Sequence, residues 1–116
     1  MKQSDLQTLL DSQLKLQAMH GHNFAKMSIE DKEQYTRDMI LYLLEETHEL
    51  LRETNFKTYK KTRKPVIKEK IEEELVDIVC FYLNLCLCWD VDAKSIVNAY
   101  FKKNKKNIDR VNNTDY

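Results

Sequence analysis

Apolar residues near the start of the chain recur at the spacing of one helix face. The pattern predicts an amphipathic helix over residues 4–18, with apolar positions at Leu6, Leu9, Leu10, Leu14 and Leu16. Residues 20–27 interrupt the pattern and contain the only glycine, Gly21. We therefore expect a connector there.

A second apolar pattern begins after Ser28, which is followed by Glu30 and Asp31. A serine with acidic residues in the next turn is typical of a capped helix start. This helix is expected to run to about Thr54, and its centre at residues 39–44 is apolar on nearly every side.

Two more helices are predicted after a basic loop. Residues 55–65 contain five Lys and Arg residues and end at Pro65, which disfavours helix at the residue before it. A third helix is expected from about 66 to 89, again apolar all round in its second half. A short break follows, in which Asp92 can cap a last helix over residues 93–110.

The composition indicates an all-α protein. One glycine and one proline in 116 residues leave little material for tight turns or strand bends. The length suits a single domain, residues 1–116, with one modest core. Nineteen acidic and nineteen basic residues balance, so net charge gives no general attraction to nucleic acid or to an anionic membrane.

Three cysteines, Cys80, Cys86 and Cys88, fall in one apolar segment without metal-site spacing. This pattern is typical of small core residues in a reducing compartment. The N-terminus lacks a basic and apolar leader pattern, and no apolar run is long enough to span a bilayer. We therefore expect a cytoplasmic protein without a membrane partner.

Two pairs of acidic residues interrupt the apolar helices. Glu46 and Glu49 lie about 60° apart on the second helix, and Glu74 and Asp77 have the same spacing on the third. If the two helices pack antiparallel, the pairs meet as a four-carboxylate cluster, which a hard divalent cation such as Mg²⁺ would stabilise. The same acids would also suit a solvated helix face, and the pattern alone leaves both interpretations open.

Glu45 and His48 form one Glu-x-x-His unit, a ligand pair of carboxylate di-iron bundles. Such bundles need two of these units, and the chain contains one. Mg²⁺ is therefore a better prediction than iron.

Asn84 stands in an otherwise apolar helix and needs a hydrogen-bond partner. That partner is either a helix across a subunit interface or a ligand. The aromatic residues around it are typical of a core or an interface.

Four motifs in order resemble one family. The first is residues 13–17, which are similar to a Q-x-x-L-N motif, and the second is Glu-Glu-x-x-Glu at 45–49 together with Glu-x-x-Asp at 74–77. The third is an aromatic and basic loop at 55–60, and the fourth is K-N-x-x-N-x-x-R at 103–110. Together they resemble the all-α nucleoside triphosphate pyrophosphohydrolases, the superfamily of MazG-like enzymes and dimeric dUTPases. The resemblance covers nearly the whole chain.

The resemblance implies a four-to-five-helix bundle completed by homo-oligomerisation, as a homodimer or homotetramer. It implies hydrolysis of a deoxynucleoside triphosphate, with dUTP giving dUMP and pyrophosphate. The implied Mg²⁺ ligands are Glu46, Glu49, Glu74 and Asp77, with Glu49 also the base for the attacking water. The implied substrate-binding residues are Gln13, Gln17, Lys57, Lys60, Phe81, Lys103, Asn107 and Arg110.

The chain departs from the family pattern at positions near the base. Phe56 and Tyr59 replace the usual tryptophans, Gln17 replaces asparagine, and Cys80 replaces histidine. An alternative is a MazG-like enzyme acting on dCTP or a non-canonical nucleotide. A non-catalytic helical interaction module, in which the acids make interhelical contacts, is the alternative from a different class.

Overall fold

The computed structural model describes the backbone of residues 3–113 and the side chains of residues 5–113. It contains α1 (Gln3–Met19), α2 (Ile29–Arg52), α3 (Lys68–Cys88) and α4 (Ala93–Asn113), with a short 3₁₀ helix at Phe24–Lys26. The predicted all-α fold is confirmed. The third helix starts two residues later than predicted because Ile67 keeps an extended backbone after Pro65.

Polar side chains close the starts of two helices as the sequence predicts. The Ser28 hydroxyl accepts from the backbone N–H of Asp31, whose carboxylate accepts in turn from the backbone N–H of Ser28. Asp92 accepts from the backbone N–H of Ser95 at 2.9 Å. These bonds satisfy amide groups that have no partner within the helix, and so define where α2 and α4 begin.

The ends of α1 and α3 share one backbone motif. After α1, the N–H of His22 bonds the carbonyl of Gln17, and Gly21 has a φ of 89°. After α3, the N–H of Val91 bonds the carbonyl of Cys86, and Asp90 has a φ of 55°. Each is a Schellman-type ending that needs one left-handed residue, and glycine fills only the first.

α2 and α3 pack antiparallel in one continuous register. As residue numbers increase along α2, the numbers of the neighbouring residues on α3 decrease. The pairs are Met39 with Asn84, Tyr42 with Phe81, Glu46 with Asp77, and Glu49 with Glu74. At the far end, the Trp89 indole N–H donates to the Thr36 hydroxyl at 2.8 Å. The register brings the two acidic pairs to the same level.

The buried core lies at one end of this pair. Two clusters of buried residues pack where α1, α2 and α4 meet the second half of α3: Leu10, Leu83, Cys86 and Ala93, and Phe24, Tyr35, Met39 and Cys88. All three cysteines are free, Cys86 and Cys88 are buried, and Cys80 is half-buried. The acidic end of α2 and α3 therefore has little cover from its own chain.

Asn55 closes the loop between α2 and α3. Its side chain donates to the carbonyl of Lys64 at 2.8 Å and accepts from the backbone N–H of Lys64 at 2.9 Å. The Phe56 ring packs edge-on against His48, with ring centroids 6.5 Å apart. The loop is thus anchored at its base and against α2.

Opposite substitutions at the two left-handed positions should have opposite effects. Gly21→Ala should lower the free energy of unfolding by about 1 kcal/mol, because a Cβ there meets no atom but disfavours positive φ. Asp90→Gly should raise it, by up to about 1 kcal/mol. Urea unfolding measures both, and Gly21→Asn is the matched control because asparagine tolerates this conformation. A loss in both Gly21→Ala and Asp90→Gly would contradict the assignment.

Candidate metal centre

The structure brings together the four acidic residues that the sequence singled out. Carboxylate oxygens of Glu46, Glu74 and Asp77 all lie within 4.8 Å of one another. Glu49 lies close enough to Glu46 and Glu74 to raise the pKa of both carboxyl groups. The cluster forms because the antiparallel register places an i, i+3 pair from each helix at one level.

Burial and mutual repulsion change the protonation of this cluster. Burial, followed by the charges of Glu49 and Asp77, raises the pKa of Glu46 to about 7. Burial, followed by the closeness of Glu49, also raises the pKa of Glu74. Near neutral pH the metal-free protein therefore holds a proton on part of this cluster.

Two buried carboxylate oxygens have no hydrogen-bond donor among the described residues, which indicates room for a bound cation. Glu46 Oε2 and Glu74 Oε2 are buried, and no donor reaches either within the described part of the chain. A buried acceptor without a partner is destabilising, the more so when it is charged. A divalent cation would satisfy both, and an all-carboxylate donor set suits Mg²⁺. The residues present therefore fit the predicted metal.

Histidine does not join the cluster. Among described residues, the group that could hold a metal consists of Glu46, Glu74 and Asp77 alone. His48 is exposed and packs against Phe56 instead. The donor set thus favours a hard cation over the mixed carboxylate and histidine coordination of di-iron bundles.

Phe81 lies one turn beyond Asp77, and its ring tilts against Tyr42 with centroids 6.1 Å apart. It is half-buried beside the core cluster that contains Met39. The predicted stacking residue therefore lines the same side of α3 as the acids, where an aromatic ring and the carboxylates share one surface.

The two glutamines of α1 have different surroundings. The Gln13 side-chain amide N–H donates to Asn84 Oδ1 at 2.9 Å. Gln17 is 6% exposed and accepts from the Tyr35 hydroxyl at 2.7 Å. Burial raises the pKa of Tyr35, so this hydroxyl stays protonated and donates. Gln13 is half-buried beside the α1–α3 contact, whereas Gln17 belongs to the interior.

Lys57 and Lys60 lie in the loop after α2 and line a cavity of about 640 Å³. The cavity has a basic lining, formed by Arg52, Lys57, Lys60, Arg63 and Lys64 together with His48. The Lys64 ammonium donates to the carbonyl of Arg52 at 2.6 Å. The loop thus concentrates positive charge beside the C-terminal end of α2.

Lys103, Asn107 and Arg110 lie at i, i+4 and i+7 on α4 and share one face of that helix. α4 packs mainly against α1, while the acids lie between α2 and α3. The main helix contacts of one chain therefore do not carry these three residues to the acidic cluster.

Several residues around the site were not predicted. Glu53 adds negative charge beside Glu74, and its spacing of four from Glu49 could have indicated this. Tyr35 and Met39 hold Gln17 and Asn84. Nothing in the local pattern of either residue indicates those contacts, which depend on how α1, α2 and α3 pack.

Family comparison adds evidence that is independent of the geometry of the site. Residues 5–92 match the family model described as dUTPase. The chain belongs to the dUTPase family. The match spans α1, α2, α3 and the cap of α4, so it includes both acidic pairs but ends before Lys103. Searches of curated proteins and of solved structures each found no match.

Membership supports a dUTPase-like hydrolase in general and agrees with the all-helical fold. The acidic cluster could bind the metal that such chemistry uses. No helix in the described part of the chain has the length and apolar content needed to cross a membrane.

The stability of the metal-free protein should fall as pH rises from about 4.5 to 7. Glu46 has an ordinary pKa of 4.5 when unfolded and about 7 when folded, so the folded state binds the proton more tightly in this window. Thermal unfolding in chelator at a series of pH values measures the effect. Mg²⁺ should stabilise more at pH 8 than at pH 5, because metal and protons compete for the same oxygens.

Glu46→Gln is the control for this titration. It removes the ionisable group while keeping the side-chain shape, so the fall in stability between pH 4.5 and 7 should become shallower. Equal pH slopes for the variant and the unchanged protein would show that Glu46 does not cause the effect.

Proposed function

We propose that the protein is a Mg²⁺-dependent nucleoside triphosphate pyrophosphohydrolase that converts dUTP to dUMP and pyrophosphate. The observation that carries the proposal is the meeting of Glu46, Glu49, Glu74 and Asp77 between two helices, in a chain whose family is described as dUTPase. Two buried oxygens without donors support a cation at that position.

Each acid has a role in this proposal. Glu46, Glu74 and Asp77 hold the metal, which when bound neutralises charge on the phosphate oxygens. Glu49, which lies beside Glu46 and Glu74, is the fourth metal ligand and also the base that orients the attacking water and accepts its proton. The water oxygen bonds to the α-phosphorus, the bond from this phosphorus to the oxygen that bridges to the β-phosphate breaks, and pyrophosphate leaves.

The remaining residues position the nucleotide. Phe81 offers a ring for the base beside the acids. Gln13 of α1 offers an amide next to Asn84, which lies two turns beyond Asp77 on α3. Gln17 supports this end of the site from the interior through its bond with Tyr35. Lys57 and Lys60 lie in the basic loop and attract the phosphate chain.

Self-association is part of the proposal, because one chain leaves too much surface exposed. The accessible area is 9101 Å² and the mass 13.9 kDa. A compact monomer of that mass exposes about 6,700 Å². The radius of gyration is 17.7 Å, against about 13 Å for a compact domain of this length.

Part of the exposed apolar surface lies on α2 and α3, the two helices that carry the acids. Leu41, Leu44 and Val76 are 62%, 60% and 58% exposed, although each stands on a helix that carries the acids. A second subunit on this surface would bury them and complete the cover of the site. Lys103, Asn107 and Arg110 would then reach the phosphates of the partner's site.

Hydrolysis of a panel of canonical and modified nucleoside triphosphates tests the function. We expect Mg²⁺-dependent release of dUMP and pyrophosphate from dUTP, with no activity in chelator. Monophosphate, diphosphate and pyrophosphate are resolved separately. Activity spread over several bases would move the substrate to the MazG-like class, and no activity on any nucleotide would favour an interaction module.

Glu49→Gln and Glu45→Gln form a matched pair for the mechanism. Both remove one negative charge from α2, at positions one turn apart, but Glu45 is exposed and stands outside the cluster. Glu49→Gln should lower kcat for dUTP by at least about 100-fold, and Glu45→Gln should change it little. Circular dichroism checks that both variants stay helical. Equal activity in the two variants would exclude Glu49 as the base.

The mass of the protein in solution should be at least twice that of one chain, 13.9 kDa. Burial of the exposed apolar surface drives this association. Light scattering on a sizing column measures the mass, and Leu44→Glu should lower it because a buried charge opposes association. Glu45→Gln serves as the control that should not. A monomer at all concentrations would contradict the proposed assembly.

A further inference from the structure

Asn84 is a buried polar residue with both ends of its side chain engaged. It is 4% exposed. Its Oδ1 accepts from the Gln13 amide at 2.9 Å, and its Nδ2 lies 3.8 Å from Met39 Sδ. Oδ1 is therefore turned towards α1 and Nδ2 towards α2, so the contacts on both sides determine the orientation of this amide.

The hydrogen bond also orients Gln13. A glutamine amide can present either a donor or an acceptor, depending on how its terminal group is rotated. Because Asn84 Oδ1 can only accept, Gln13 must turn its nitrogen towards α3. The carbonyl oxygen of Gln13 then stays available to accept a hydrogen bond from a ligand. Within the described residues, the side chain of Gln13 hydrogen-bonds to Asn84, and it does so through its nitrogen.

The position of this pair matches the far end of a bound nucleotide. Asn84 follows Asp77 by seven residues, which places both on one face of α3 and roughly 10 Å apart along its axis. Phe81 lies between them and packs against Tyr42. A nucleotide with its phosphates at the acids would lay its base along Phe81 and reach Gln13 with the edge of the base.

We propose that Asn84 is a positioning residue that makes Gln13 a hydrogen-bond acceptor, and so selects a base with an imide N–H. Uracil presents N3–H to such an acceptor, whereas the ring N3 of cytosine presents a lone pair that the carbonyl would repel. This inference rests on the proposed function, because it needs a nucleotide at the acidic cluster. It adds the reason why a uracil base is preferred there.

Replacing Asn84 should weaken the preference for dUTP over dCTP. In Asn84→Ala the Gln13 amide has no fixed partner and can turn either its oxygen or its nitrogen towards the base. It can therefore hydrogen-bond to uracil or to cytosine. The ratio of kcat/KM for dUTP to that for dCTP should fall about tenfold, the size of one hydrogen bond. The change should appear mainly in KM, with kcat for dUTP within about twofold.

A double-mutant cycle shows whether Asn84 acts through Gln13. Gln13→Ala should lower the same ratio, and adding Asn84→Ala to it should lower the ratio no further. Asn84→Asp keeps an acceptor for the Gln13 nitrogen and should retain most of the preference. Cys86→Ala alters a residue of similar burial two positions farther along α3 and should leave the ratio unchanged.

Three results would overturn the inference. An unchanged ratio in Asn84→Ala would do so, and so would additive effects in the double variant. Equal losses on dUTP and dCTP would show that Asn84 serves packing alone. In these cases dUTP hydrolysis by the unchanged protein still stands.

Binding of dUMP and dCMP, measured by calorimetry, gives a readout that does not need turnover. Asn84→Ala should reduce the preference for dUMP by the same factor as it reduces the kinetic ratio. If the unchanged protein neither binds nor hydrolyses any nucleotide, the proposed function fails and this inference fails with it.

Discussion

Four carboxyl groups lie together between α2 and α3, and their mutual repulsion is the main electrostatic constraint on this fold. Like charges at such distances are tolerated only when protons or a cation reduce the net charge. The raised pKa values of Glu46 and Glu74 show the first response, and the donor-free oxygens on both residues are positioned for the second. The free protein is thus expected to lose stability towards neutral pH at the same cluster that could bind a metal.

The distribution of buried residues follows from that arrangement. The core clusters gather at the second half of α3, where α1 and α4 also pack, and the acidic half of the helix pair is left with exposed leucines and valines. The self-association proposed above would cover this exposed surface with a second subunit.

Within the described residues, polar side chains at the other end of the same surface are hydrogen-bonded to one another, unlike the two donor-free oxygens of the acidic cluster. Gln13, Asn84, Gln17 and Tyr35 satisfy one another through hydrogen bonds instead of being left open. Paired amides have defined orientations, whereas unpaired carboxylates keep their capacity for a ligand. One face of α3 therefore carries an open ionic site at Asp77 and a preorganised amide at Asn84.

Local pattern was enough to predict much of this protein. Caps at Ser28 and Asp92, the basic loop and the two i, i+3 acidic pairs follow from short-range chemistry, and the order of motifs indicated the family. Such features depend on neighbours within one or two turns, so no tertiary information is needed to find them.

Other features depended on how the helices pack. The sequence showed that Asn84 needs a partner, but only the register of α2 with α3, and the contact of α1 with α3, made Met39 and Gln13 those partners. The same packing buried Gln17 against Tyr35 and kept α4 on α1, away from the acids. Helix periodicity determines which residues share a face, whereas the choice of facing residues comes from side-chain packing between segments distant in sequence.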